Sequence, residues 1–290
     1  MTSTAQRIEV FGTDFQNPVL LAAGTAGFGR EVAEVIDLTG LGGIVTKAVS
    51  PEPREGNRPP RVAEFSGGMI NSVGLANPGL DHVASVDIPW LEANVGVARV
   101  IVNVVGSVPD HYAAVIRRLT AATVVAAFEL NVSCPNTERG GEEFNNDPEV
   151  LRDVTIRCCD ATSKPVIVKL TPNLEDLGRK AAVAAAAGAS GITVINTLPG
   201  YLFDGAHKTA RLGGGRGGVS GPALLPAGVL ATTVVVAETG LPVIGVGGIR
   251  KPEDMMQYLE AGASLVAVGT AALAHPRVPL ELAKWWARHA

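Results

Sequence analysis

Ala127-Phe-Glu-Leu-Asn-Val-Ser-Cys134, a helical stretch over residues 147–162, and Pro165-Val-Ile-Val-Lys-Leu-Thr-Pro172 make one strand–helix–strand unit. The two runs are largely apolar on both faces, as parallel strands covered by helices are. Asp147-Pro148 opens the helix as an N-cap and first-turn pair. The same unit recurs in both directions along the chain. Strand-like runs lie at residues 19–24, 43–49, 99–106, 127–134, 165–172, 191–197, 242–249 and 264–270, with helical patterns at 109–122, 147–162, 173–187, 221–239 and 251–261. Eight such runs predict an α/β fold of the (β/α)8 TIM-barrel type, which typically takes about 250 residues. An open doubly wound sheet is the competitor, but it usually has fewer strands and one switch point.

Two segments depart from a minimal barrel. Residues 8–15 alternate apolar and polar side chains around Gly12-Thr13, which predicts a hairpin capping the barrel bottom. Residues 50–97 form an insertion after strand 2. It starts with a Pro-rich loop, and within it 61–65 and 68–71 are expected to pair as a small β sheet.

Composition bounds the function. The chain has 290 residues, 47% hydrophobic and 18% charged, so it is globular rather than disordered. A net charge of −4 with no basic tract argues against a nucleic-acid partner. Cys134, Cys158 and Cys159 are an odd, sparse set, which fits a reducing compartment rather than a disulfide framework. The N-terminus has no signal-peptide core, and no apolar stretch reaches the roughly 20 residues that span a bilayer. The expectation is a cytoplasmic protein without membrane association.

In such a barrel the C-terminal strand ends converge on one site. Here they carry Ala23-Gly24, Thr46-Lys47, Asn103, Asn131 with Cys134, Lys169, Asn196-Thr197, Gly247-Gly248 and Gly269-Thr270. A buried Lys is costly without an anion, and a buried Asn needs partners for its donors and its acceptor. Any one of them reads as a satisfied core group. Lys47, Lys169, Asn103, Asn131 and Asn196 at equivalent positions of different strands read as the walls of a shared polar ligand. The glycine pairs after strands 7 and 8, with Gly221 ahead of a helix, suit a phosphate held by backbone N–H groups, although glycines also simply make tight turns.

Other motifs carry less. The Gly24–Gly29 glycines have the wrong spacing for a dinucleotide fingerprint, and residues 212–218 read as a flexible lid or linker. The five His residues show no metal-ligand spacing, so no metal is expected. No Gly-x-Ser-x-Gly elbow is present. Cys158 and Cys159 sit on a helix as packing residues.

The ordered set Thr46-Lys47, Asn71-Ser-Val-Gly-Leu75, Asn77-Pro-Gly, Asn103, Asn131-Val-Ser-Cys-Pro-Asn136, Lys169-Leu-Thr-Pro, Ile195-Asn-Thr197, Gly218-Val-Ser-Gly221-Pro, Gly247-Gly248 and Gly269-Thr270 resembles the class 1 dihydroorotate dehydrogenases. The residues after Asn77 and the Gly140-Gly-Glu-Glu-Phe stretch look most like the B type, whose catalytic subunit pairs with an iron–sulfur, FAD-containing electron-transfer subunit that reduces NAD. The resemblance implies a single FMN-binding barrel domain over residues 1–290. FMN would be lined by Ala23, Thr46, Lys47, Asn103, Asn131, Lys169 and Ile195, with its phosphate at Gly221, Gly247, Gly248, Gly269 and Thr270. Dihydroorotate would meet Lys47, Asn71, Ser72, Val73, Gly74, Leu75, Asn131, Asn196 and Thr197. Where a Ser is expected before Gly24, this chain has Ala23, so only a backbone contact would remain there.

The resemblance further implies de novo pyrimidine (UMP) biosynthesis, with (S)-dihydroorotate oxidised to orotate. Cys134 would be the general base at C5, with hydride transfer from C6 to FMN and Lys169 beside the flavin edge that gains charge. Loop 135–146 would close over the site, and a homodimer is common among such proteins. The alternatives are a fumarate-dependent class 1 enzyme, a dihydropyrimidine dehydrogenase-like flavoenzyme on a neutral ring, and a phosphate-binding barrel aldolase or isomerase using Lys169 as a Schiff base. A carboxylated substrate explains Lys47; a neutral ring does not.

Overall fold

The computed structural model describes residues 7–133, 135–136, 142–205 and 208–290. Eight strands close into a parallel barrel in chain order: β1 (Val19–Leu21), β2 (Gly43–Val45), β3 (Arg99–Val104), β4 (Val125–Asn131), β5 (Val166–Lys169), β6 (Gly191–Val194), β7 (Val243–Val246) and β8 (Leu265–Val268). β8 pairs with β1 in parallel, Val266 opposite Val19, so no edge is left open. The (β/α)8 expectation stands, and the open sheet is excluded.

Successive strand residues point inward and outward, which divides the core in two. Leu20, Val45, Ile101, Ala127, Ile167, Ile244 and Leu265 fill the barrel interior, and Val10 and Phe15 of the N-terminal hairpin join them. That hairpin pairs Ile8–Val10 with Thr13–Phe15, so the predicted cap is present. The outward set, including Val19, Ile44, Val100, Phe128, Val166, Ile192 and Val243, packs under the helices. Hence each strand reads as continuously apolar.

The principal helices are α1 (Pro109–Leu119), α2 (Pro148–Asp160), α3 (Leu177–Ala186), α4 (Leu225–Thr239), α5 (Pro252–Glu260) and α6 (Val278–His289). Asp147 caps α2 as its sequence predicts, accepting from the backbone N–H of Glu149 at 2.9 Å and of Val150 at 3.4 Å. α3 starts four residues later than the helical pattern, because Asp176, not Asn173, occupies its N-cap. Pro222–Thr239 is long and apolar enough to cross a membrane by length and composition alone. It is instead a barrel helix, packed against β6, β7 and α3. Its apolar character continues around its circumference, which is why composition alone misreads it.

The insertion builds more than the expected strand pair. Val62–Phe65 and Gly68–Asn71 do pair, but the sheet has four strands, adding Gly217–Ser220 and Leu198–Gly200. This corrects the end of the stretch 212–218 read as a lid or linker: Gly217 and Gly218 lie in the sheet, while 212–216 are turns and bends. Gly218 has no alternative residue: a Cβ there would stand 2.0 Å from Thr197 Oγ1. The loop predicted to close over the site begins and ends as an antiparallel pair, Asn136 opposite Glu142 and Pro135 opposite Glu143.

Candidate active site

The inward face of the strands changes from apolar to polar at the C-terminal end of the barrel. On β3 and β4, Ile101 and Ala127 are interior plug residues, and two residues further on stand Asn103 and Glu129. Lys169 follows Ile167 on β5 by the same step, and Thr193 lies opposite Lys169 on β6. These four side chains form one buried cluster. Asn103 Nδ2 donates to Glu129 Oε1 at 2.7 Å, and Thr193 Oγ1 donates to Glu129 Oε2 at 2.8 Å. The Lys169 ammonium stands 3.7 Å from Glu129 Oε1. Glu129 is 1% exposed and Lys169 7%, so neither charge is satisfied by bulk water.

Nearer the mouth is a second group. Asn196 Nδ2 donates to Asn131 Oδ1 at 3.3 Å and to Ser133 Oγ at 3.0 Å. The Asn131 carbonyl accepts from the Tyr112 hydroxyl at 3.0 Å, tying the end of β4 to α1. Thr46 is fully buried; its hydroxyl donates to the Lys47 carbonyl and accepts from the Asn103 N–H, linking β2 to β3. Lys47 is half-buried, and its ammonium has no hydrogen-bond or ion-pair partner among the described residues. Cys134 lies outside the described residues.

The glycine-bearing strand ends form a third group. Gly248 has φ +76°, and a Cβ there would meet the backbone N of Leu225 at 2.7 Å, so the end of β7 lies directly against the start of α4. Gly221, at φ +116°, lies against Gly68 of the four-stranded sheet. Thr270 Oγ1 donates to Ser220 Oγ at 2.8 Å, which joins the end of β8 to the same sheet. Gly247, Gly269 and Ala23 occupy the adjoining strand ends, and Ile195 is buried after β6. This donor set fits a flavin phosphate: N–H-rich glycine turns and hydroxyls beside a helix start, with no carboxylate among them.

The substrate segment of the resemblance lies above this rim. Asn71 Nδ2 donates to the Gly218 carbonyl at 3.2 Å, and Ser72 accepts from Asn57 Nδ2 at 2.8 Å. Gly74 and Leu75 both adopt positive φ, and Leu75 packs on Ala48 and Val105 beside Lys47. Val73 accepts the Asn57 N–H through its carbonyl. The nearby Asn77 has another task. It bonds Ser50, Leu75 and Gly79, so it staples the insertion rather than facing the mouth. One open cleft among the described residues, about 400 Å³, is lined by Arg58, Pro60, Thr209 and Leu212 and includes none of the predicted site residues.

Sequence reading overlooked Glu129, Thr193 and Ser220. Glu129 had a legible signal, a charged residue two positions before Asn131 and hence on the same face of an otherwise apolar strand. Ser220 lies inside the Gly218-Val-Ser-Gly221-Pro motif, but its pairing with Thr270, 50 residues away, had no local signal.

Comparison with known proteins identifies the family. A family model described as dihydroorotate dehydrogenase matches residues 6–284. The catalytic subunit of dihydroorotate dehydrogenase B (NAD(+)) from Listeria monocytogenes serovar 1/2a is 44% identical over 263 residues, covering 91% of this chain and 86% of that protein. The protein of the same name from Bacillus cereus (strain B4264) is 44% identical over 274 residues, covering 94% and 87%. The chain therefore belongs to the dihydroorotate dehydrogenase family.

Proposed function

We propose that this chain is the catalytic subunit of a B-type dihydroorotate dehydrogenase, which oxidises (S)-dihydroorotate to orotate in pyrimidine biosynthesis with FMN at the barrel mouth. The observation that carries it is the gathering of Asn103, Asn131, Lys169 and Asn196 on one inward rim, with Lys47 beside it and without an ion-pair partner among the described residues. The names of the relatives, which specify NAD(+) and a catalytic subunit, support electron delivery to NAD through a partner subunit. That this partner carries FAD and an iron–sulfur cluster rests on the B-type resemblance of the residues after Asn77 and of Gly140-Gly-Glu-Glu-Phe.

FMN, when bound, supplies the two-electron acceptor for the hydride that leaves C6. Gly221, Gly247, Gly248, Gly269 and Thr270 would hold its phosphate, and Ala23, Thr46, Lys47, Asn103, Asn131, Lys169 and Ile195 would line it. The chain's own residues do the rest. Lys47 pairs with the substrate carboxylate, since a half-buried ammonium gains most from an anion. Asn71, Asn131 and Asn196 hydrogen-bond the ring, whose amide groups offer both donors and acceptors. Ser72 to Leu75 and Thr197 complete that wall. Cys134 takes the C5 proton as a thiolate, and a free thiol near pKa 8.5 makes activity rise with pH. Lys169 stabilises the negative charge that appears at the cofactor edge. The paired arms of loop 135–146 close over the site and keep water out.

The test is anaerobic mixing of the purified chain with dihydroorotate. The expected result is a yellow protein that bleaches on substrate addition. A partner-containing preparation should then recover its colour with NAD and not with fumarate. A colourless chain that takes up no added FMN overturns the proposal.

A further inference from the structure

The buried carboxylate of Glu129 is the common partner of three side chains from three neighbouring strands, Asn103 on β3, Lys169 on β5 and Thr193 after it on β6. An isolated carboxylate that is 1% exposed would be expensive, so its retention inside an apolar barrel calls for a reason. Its partners supply one, because two of them, Asn103 and Lys169, line the proposed cofactor site.

We propose that Glu129 is a positioning residue that sets the hydrogen-bond polarity and the charge of that lining. An ionised carboxylate only accepts hydrogen bonds, so the group facing it from Asn103 must be the amide NH2. Asn103 Oδ1 is thereby left as the acceptor, and it has no protein partner among the described residues. The ligand atom it receives is an N–H or O–H donor. Thr193 commits its hydroxyl proton to the same carboxylate and offers only lone pairs. At 3.7 Å, the Glu129 charge also offsets much of the Lys169 field, leaving a weakly rather than strongly positive site beneath the ligand. Glu129 thus acts through Asn103 and Lys169, without touching substrate itself.

This inference rests on the FMN reading, and its test separates the two. The reduction potential of bound FMN is measured in the wild-type chain and in Glu129→Gln, with the dissociation constant for FMN measured alongside. Gln preserves size while removing the charge, so Lys169 acts unopposed on the electron-rich reduced cofactor. The reduction equilibrium is expected to shift at least tenfold towards the reduced form, about 30 mV for a two-electron couple. A purely structural role would lower FMN affinity without moving the potential in that direction. If Glu129→Gln fails to fold, Glu129→Asp, which withdraws the charge by one methylene, is expected to shift the equilibrium at least threefold the same way. Either folded variant binding FMN at the wild-type potential overturns the role of Glu129 and leaves the FMN reading standing. A wild-type chain that binds no FMN overturns both.

Discussion

The Tyr258 hydroxyl, carried by α5, donates a 2.7 Å hydrogen bond to the carbonyl oxygen of Gly247 at the end of β7. The Tyr258 ring is fully buried, and the contact is possible only because Gly228 on α4 lacks a side chain: a Cβ there would lie 1.8 Å from the hydroxyl. One tyrosine thus fixes the turn that the proposed phosphate site uses. Tyr258→Phe is expected to cost about 0.5–1.5 kcal/mol and to weaken FMN retention. Gly228→Ala should cost more, about 1–3 kcal/mol, because the overlap must be relieved by moving a helix or a ring. Thermal denaturation with and without added FMN measures both; a Gly228→Ala protein as stable as wild type would contradict the close approach.

Thiol chemistry should single out Cys134. Burial pushes the Cys158 thiol far above the ordinary range, and burial with the Asp160 charge pushes Cys159 up to about 11. Both are essentially unionised at pH 7.5 and should resist iodoacetamide. Mass spectrometry after limited alkylation is expected to find the label on Cys134, with orotate slowing it. Cys134→Ala should bind FMN normally and lose most turnover, while Cys134→Ser should retain some at high pH. Full turnover by the alanine variant would remove Cys134 from the reaction.

Lys47 offers a charge with no protein counterpart among the described residues. Lys47→Ala is expected to weaken orotate binding about 10- to 100-fold, the range of a lost charge-assisted contact of about 1.5–3 kcal/mol. Titration of the FMN-loaded protein with orotate reads this directly. The loss should be much smaller for an orotate analogue lacking the carboxylate; equal losses for both would argue against the pairing.

Asp87 closes the short π-helical turn Val83–Asp87. Desolvation lifts its carboxyl above the ordinary value of 3.8, against the pull of His82 and Arg30, while Glu31 adds to the rise. Its Oδ2 has no hydrogen bond among the described residues, though it stands 3.8 Å from His82 Nε2. A carboxyl whose folded-state value is raised holds its proton more tightly folded than unfolded. Its contribution is therefore most favourable at low pH and is lost as pH climbs from 3.8 through the higher folded-state value. Asp87→Asn, which carries no charge at any pH, should gain on wild type in urea stability between pH 4 and pH 7. A difference independent of pH would show that the Asp87 charge carries no such cost.

Much of the site was readable because β-strand geometry is simple. Asn103, Asn131 and Lys169 announce themselves as polar residues in apolar runs, and their place at the strand ends follows from the repeat. Helix starts were readable where a cap was explicit, as at Asp147, and misplaced where it was not, as at Asp176. The last two residues of the glycine-rich stretch 212–218 misled, because glycine signals freedom locally. Here it marks Gly217 and Gly218 threading between Asn71 and Thr197, residues far away in the chain.

The amino-acid sequence alone determined the period of the barrel and the identity of the strand-end chemistry, since both depend on local alternation and on which residue types tolerate burial. Only tertiary pairing and packing decided which of those residues meet. They brought Glu129 under Lys169 and Asn103, set Ser220 against Thr270, and joined Gly68–Asn71 to Gly217–Ser220. Contacts between segments so distant in the chain are chosen by packing and register, which no local propensity encodes.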